Sequence, residues 1–325
     1  MILVTGGAGF IGSNIAAALS ERGERVAVCD RLRQGDKWRN LAKTELADIL
    51  APEALPGWLA SHALRVVVHM GAISSTTERD ADLVVDTNFR LSWYLWQWCA
   101  EHRVRLIYAS SAATYGAGEQ GFDDDGSVAA LARLRPLNSY GWSKHLFDRR
   151  VARALADREP APPQWAGLKF FNVYGPNEYH KGDMRSVVTQ RYPAAAQGEE
   201  ITLFASHHPD YADGGQLRDF IYVGDCVAVV LWLLDHPHAQ GLYNLGTGTA
   251  RSFADLARAL FESVGRPPRI RYVPMPEALR GNYQYYTQAR MERLRAAGYT
   301  RPMTPLEAGV RTFVRDYLAS ADRYR

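Results

Sequence analysis

The sequence predicts an α/β protein, a doubly wound parallel sheet with a smaller C-terminal α/β lobe. Three observations carry this. Strand-like and helix-like stretches alternate through the first half. The strand-like stretches are continuous apolar runs, as expected of strands covered on both faces. A glycine-rich turn joins the first strand to the first helix. The length of 325 residues suits one large α/β unit with a second lobe.

Taken in order, residues 2–5 read as a buried strand and 10–22 as the helix that follows. Residues 25–30 and 65–70 are further strands. Residues 80–102 place Leu83, Leu91, Leu95 and Trp98 at helical spacing and predict one long helix. Residues 104–110 predict a strand, 139–157 a helix and 165–172 a strand. After Gly175-Pro176 the pattern changes. The chain to about residue 216 is rich in Pro, Gly, His and Asp, and predicts loop with one helix near 184–197. Residues 220–223 and 242–245 read as strands returning to the main sheet.

Composition excludes several classes. A formal net charge of +3, without a Lys/Arg run, is too weak for a nucleic-acid footprint. With 47% hydrophobic and 22% charged residues the chain reads as an ordinary globular protein. Cys29, Cys99 and Cys226 form no CxxC pattern and predict reduced thiols in the cytoplasm. The first residues have no basic lead-in and break at Gly6, which predicts a strand and not a signal peptide. The longest apolar run, residues 226–234, is far short of a membrane span. His207-His208 has no third ligand at a suitable spacing, so no metal is expected. Trp93, Trp96 and Trp98 read as helix packing or a subunit contact.

Gly6, Gly7, Gly9 and Gly12 lie between a strand and a helix. Glycines here permit a tight turn and close approach of a pyrophosphate to the helix N-terminus. This is the Rossmann dinucleotide pattern. Asp30 ends the second strand, where an acid commonly holds the adenosine ribose. Arg31, Arg33, Lys37 and Arg39 follow and suit a ribose 2′-phosphate. The expected cofactor is therefore NADP, with NAD the other candidate. Met70, Gly71 and Ala72 end the next strand, where glycine again allows close approach. Residues 1–173 and 219–247 are assigned to the dinucleotide lobe, and 174–218 with 248–325 to a substrate lobe.

Tyr140 and Lys144 stand four apart at the start of a helix and share a face. An ammonium near a phenol favours the phenolate. Such a tyrosine can exchange a proton with a carbinol during nicotinamide redox chemistry. Ser110 and Ser111 end the preceding strand, where a hydroxyl can hold the same oxygen.

With these motifs the chain resembles the extended short-chain dehydrogenase/reductases, which oxidise, epimerise or dehydrate nucleotide sugars. Residues 172–176 (N-V-Y-G-P), 218–225 (R-D-F-I-Y-V-G-D) and 244–248 (N-L-G-T-G) are further marks of that group. Residues 71–78 (G-A-I-S-S-T-T-E), 108–116 (Y-A-S-S-A-A-T-Y-G) and 172–182 (N-V-Y-G-P-N-E-Y-H-K-G) are similar to the ADP-heptose 6-epimerase family in particular. Residues 30–41, 281–284 and 287–288 add to this. That family makes lipopolysaccharide core sugars in the cytoplasm. The resemblance implies that Ser111, Tyr140 and Lys144 are the redox group and Lys181 a second acid/base. It implies cofactor contacts at Gly6, Gly9, Phe10, Ile11, Gly12, Asp30, Arg31, Lys37, Met70, Gly71, Ala72, Ile73, Ser74, Thr87, Lys144, Val173 and Lys181. It implies that an ADP-heptose meets Ser111, Asn172, Asp183, Gln190, Phe204, Ala205, Ser206, His207, Arg218 and Tyr283. A homo-oligomer, a pentamer, is also implied.

The chain departs from that family in places. Thr87 stands where an asparagine is common, although Asn88 follows. Asp183 replaces a serine, Gln190 a histidine and Pro52 a lysine, and residues 208–215 look inserted. Ala112-Ala113 stands where sugar dehydratases carry an Asp-Glu pair, which disfavours dehydration. A UDP-hexose 4-epimerase and a non-catalytic dinucleotide-binding protein are the alternatives. The first would not need Lys181, and the second would not need Ser111, Tyr140 and Lys144 together.

Overall fold

A computed structural model describes residues 1–280 and 283–325, the side chains of 278 and 279 apart. Gly281 and Asn282, part of the motif at 281–284, lie outside the described residues. Among the described residues there are twelve strands: β1 (Ile2–Thr5), β2 (Val26–Cys29), β3 (Asp48–Leu50), β4 (Val66–His69), β5 (Arg105–Ser111), β6 (Trp165–Phe170), β7 (Asn172–Tyr174), β8 (Ile201–Phe204), β9 (Leu217–Tyr222), β10 (Gly241–Leu245), β11 (Ala250–Ser252) and β12 (Ile270–Val273). Seven make one sheet in the order β10-β6-β5-β4-β1-β2-β3, and its strand pairs are parallel. The winding reverses between β1 and β4. At such a switch point, the carboxyl ends of the strands open a crevice. Thr5, Cys29 and His69 end neighbouring strands in register there.

The apolar run explains the sheet. Every residue of β1, β2 and β4 is buried. These strands head one hydrophobic core. A second core gathers Tyr174, Val188, Leu203, Phe220, Leu260, Val310 and Phe313. Ala289, Met291, Leu294 and Tyr299, expected with the second lobe, instead pack against the first core.

Three expectations need correction. The strand expected at 220–223 does not return to the main sheet. As β9 it lies between β7 and β11 in a separate three-stranded sheet. The strand expected over 165–172 is divided: Val173 donates its N–H back to the Phe171 carbonyl, and the chain leaves one sheet for the other. The stretch read as loop with one helix also contains β8, which pairs with the distant β12. The long helix at 80–102 is one helical run interrupted by a π turn at Val85–Arg90. That turn holds Asn88, whose amide bonds both backbone groups of Ile73 and the Ser143 hydroxyl.

Candidate active site

The glycine turn comes first. Gly6 has φ +65, and a Cβ there would stand 2.6 Å from the Gly71 backbone. A Cβ at Gly12 would stand 2.2 Å from the Gly6 carbonyl oxygen. Side chains at either position would fill the cradle. The helix Phe10–Glu21 starts at Gly9 with no side-chain cap, so its first N–H groups are available to an anion. These residues fit a dinucleotide pyrophosphate.

At the end of β2, the Asp30 carboxylate accepts from the Ala8 and Arg31 N–H groups at 2.9 and 2.7 Å and from Lys37 Nζ at 2.6 Å. Arg31 pairs with Glu53. Arg31 and Lys37, two of the cations expected at the ribose, therefore have acidic partners within the chain.

Ser111 closes β5, and its hydroxyl accepts from the Ala113 N–H at 3.1 Å. Further along the chain, the helix Ser139–Ala156 is started by Asn138, which accepts from the Gly141 N–H at 2.8 Å. A Cβ at Gly141 would stand 2.7 Å from the Ala113 carbonyl oxygen. Glycine there lets the helix pack tightly on the turn after Ser111, which brings Tyr140 to the serine. Burial raises the Tyr140 phenol pKa and the Ser111 hydroxyl opposes the rise. The expected lowering by Lys144 is not found; burial sets the direction and the opposing pull comes from Ser111. Burial also pushes Lys144 down to about 8, against the pull of Asp148.

Lys181 belongs to the turn Tyr179–Met184. Its ammonium stands 5.4 Å from the centre of the Phe10 ring. Burial lowers its pKa and the neighbouring Glu178 carboxylate opposes this.

One cleft of about 1280 Å³ gathers these groups. Its wall holds every residue expected at the cofactor, from Gly6 to Lys181, together with Ser111, Tyr140 and Asn172. Asp183, Gln190, Phe204, Ala205, Ser206, His207, Arg218 and Tyr283 are not on that wall. Gln190 donates to the Asp183 carbonyl at 3.1 Å, and the His207 N–H donates to the Tyr285 hydroxyl at 2.9 Å. Arg218 lies just behind the wall. Its guanidinium stands 5.1 Å from the Tyr283 ring and 5.7 Å from Phe253, and it donates to the Gln284 carbonyl. Phe253, Gln284 and Thr287 do line the cleft. Sequence reasoning gave none of them a role, although Gln284 and Thr287 lie in motifs it singled out.

The fold and this constellation define a class. The family model described as the NAD dependent epimerase/dehydratase family matches residues 2–246, and the chain belongs to that family. Within it, the chain is 50% identical over 329 residues to the ADP-L-glycero-D-manno-heptose-6-epimerase of Nitratidesulfovibrio vulgaris, covering 100% of both chains. It is similar to the crystal structure of the Helicobacter pylori ADP-L-glycero-D-manno-heptose-6-epimerase, with a TM-score of 0.80 and 30% identity over 97% of this chain and 95% of that one. The Thermus thermophilus UDP-glucose 4-epimerase complex with NAD gives a TM-score of 0.75 and 26% identity, over 98% of this chain and 99% of that one.

Proposed function

We propose that the chain inverts C6 of ADP-D-glycero-D-manno-heptose to the L-glycero epimer through a transient C6 ketone, with NADP as cofactor. The nicotinamide, when bound, supplies the redox chemistry by accepting a hydride from C6 and returning it. The chain's own residues do the rest. The Gly6, Gly9 and Gly12 turn and the uncapped helix hold the pyrophosphate, and Asp30, Arg31 and Lys37 meet the adenosine ribose. Ser111 holds the reacting oxygen. Tyr140 takes the hydroxyl proton as the carbinol becomes a carbonyl, and gives a proton back on reduction. Lys144 keeps the cationic charge one helical turn away.

Inversion requires the carbonyl to present its other face, and the oxygen of an exocyclic C6 need not return to Tyr140. A second proton relay meets this need, and Lys181 supplies it. The observation that carries the reading is that Lys181 lines the same cleft as Ser111 and Tyr140, on a separate loop. A lysine whose pKa is lowered by burial is suited to exchange protons. A single-base 4-epimerase would have no such use for it.

NADP is favoured because Lys37 neutralises Asp30, which muts the repulsion an acid exerts on a 2′-phosphate, and because the Arg31 pair is exposed enough to re-form around a ligand. A cytoplasmic homo-oligomer belongs to the same reading, and sedimentation tests the assembly. The activity is tested by incubating the protein with ADP-D-glycero-D-manno-heptose or UDP-glucose and following C6 and C4 by NMR. Inversion of the heptose at C6 is expected. Turnover of UDP-glucose at C4 with the heptose untouched overturns the assignment.

A further inference from the structure

The loop that carries Lys181 is held from two sides. On the inner side it is stitched to the glycine-turn helix. Asn177 is fully buried with φ +71, a left-handed conformation that asparagine tolerates better than most residues. Its amide donates to the Ser13 hydroxyl at 3.0 Å. Asn14 donates to the Pro176 carbonyl at 3.0 Å. Asn40 donates to the carbonyls of Ala8 and Asn177 at 2.9 and 3.1 Å, and lies 3.2 Å from His180 Nδ1.

On the outer side residues 322–325 close over it. The Tyr179 hydroxyl donates to the Arg323 carbonyl at 2.7 Å. The Tyr179 and Tyr324 rings meet edge to face, 5.3 Å between centres, and the Arg323 guanidinium stands 4.6 Å from the Tyr179 ring. The Arg325 N–H donates to Asn177 Oδ1 at 3.0 Å, and its guanidinium reaches the Asn14 carbonyl and Glu21. Lys43 secures the segment from the far side, donating to the Tyr324 carbonyl at 2.6 Å and pairing with Asp322 at 2.7 Å.

We propose that residues 322–325 form a clasp that positions Lys181 for C6 inversion, acting through Tyr179 and Asn177. This rests on the reading of Lys181 as the second acid/base. The physical need is clear. Lys181 sits on a short 3₁₀ turn, which has poorer hydrogen-bond geometry than an α-helix. Its flexible side chain must be held desolvated beside Phe10. A rigid backbone beneath it reduces the ordering left to the side chain. None of residues 322–325 lines the cleft, so the clasp touches no ligand there and acts on the rate of inversion, not on substrate affinity.

The test compares Tyr324→Ala, Tyr324→Phe and Lys43→Ala with the unaltered enzyme. Tyr324→Ala removes the ring packed on Tyr179, and Tyr324→Phe keeps it. Lys43→Ala loosens the same segment at a half-exposed lysine, without emptying a buried site. Tyr324→Ala and Lys43→Ala should lower kcat for C6 inversion roughly tenfold to a hundredfold, the range a small misplacement of a reacting group produces. KM should hold, and so should the redox half-reaction that relies on Tyr140. Amide hydrogen exchange over residues 176–184, measured on the protein alone, should quicken in both variants. Tyr324→Phe should restore both properties. Unchanged exchange overturns the clasp, as does quickened exchange with undiminished inversion, or a parallel loss of kcat and affinity. Lys181→Met, run beside them, decides the reading of Lys181 separately, because it removes the amine and leaves the clasp in place.

Discussion

Lys169 donates to Asp148 at 2.8 Å, and neither side chain has any solvent exposure. Asp148 follows Lys144 by one turn on the Ser139–Ala156 helix, and Lys169 stands in β6. The Ser110 hydroxyl donates to the same carboxylate at 2.6 Å, and Lys169 also donates to Thr114 at 2.7 Å. The pair therefore ties the helix bearing Tyr140 to the two strands behind it. Removing one partner leaves a buried charge uncompensated. Asp148→Ala should destabilise the protein by about 3–5 kcal/mol, read from urea unfolding. A loss below about 1 kcal/mol, the scale of an exposed pair, contradicts this.

Lys37 donates to Asp30 at 2.6 Å, and the proposed preference for NADP rests on this pair. Lys37→Ala should weaken NADP binding roughly tenfold to a hundredfold, the worth of one charge-assisted hydrogen bond at about 1.5–3 kcal/mol. NAD binding should change little. Calorimetric titration of both cofactors checks it. Equal affinities that neither Lys37→Ala nor Arg31→Ala alters would refute the preference for NADP.

Gly12 has no room for a side chain, since its Cβ would stand 2.2 Å from the Gly6 carbonyl oxygen. Gly12→Ala must push the turn and helix apart, at about 1–3 kcal/mol of overpacking. Dinucleotide affinity should fall with it. Fluorescence titration, with circular dichroism to follow folding, measures both. Undiminished affinity would show that the turn does not hold the pyrophosphate.

Acid should destabilise the fold from about pH 6.5 downward. His69 lies between the Thr5 and Ser92 hydroxyls at 2.6 and 2.8 Å, and burial pushes it down to about 3. Burial also takes His145 and His180 down to about 4. The unfolded chain protonates these histidines first, so stability is lost as pH falls from their unfolded value through the folded ones. Burial raises Asp124 to about 6 and also raises Glu178, Asp219 and Asp225, and these carboxyls act in the opposite direction. Urea midpoints between pH 7 and pH 4 should decline, and His69→Gln should make the decline shallower. An unchanged slope in that variant contradicts the assignment of His69.

The cleft wall around Gly6, Asp30, Tyr140 and Lys144 was legible because its signals are local. A glycine turn, an acid at a strand end and a four-residue Tyr–Lys spacing each lie within a few residues. The wall at Phe253, Gln284 and Thr287 was not. Phe253, Gln284 and Thr287 reach the wall only through the three-stranded sheet β11-β9-β7 and the Tyr286–Leu217 bridge. No short-range pattern announces such pairings between distant segments. The same holds for β8 with β12, and for Arg325 with Asn177. The Tyr140 phenol was misjudged in direction because helical spacing gives proximity to Lys144 but says nothing of how deeply the pair is desolvated.

The central claim is that Tyr140 and Lys181 each serve one face of the C6 ketone. The most direct measurement gives Tyr140→Phe and Lys181→Met each of the two ADP-heptose epimers in turn, and follows nicotinamide absorbance in a single turnover together with C6 configuration by NMR. Both variants should lose net inversion. Each should still oxidise one epimer, and their preferences should be opposite. A Lys181→Met enzyme that interconverts both epimers at the normal rate would contradict the two-base account and leave Tyr140 as the single acid/base.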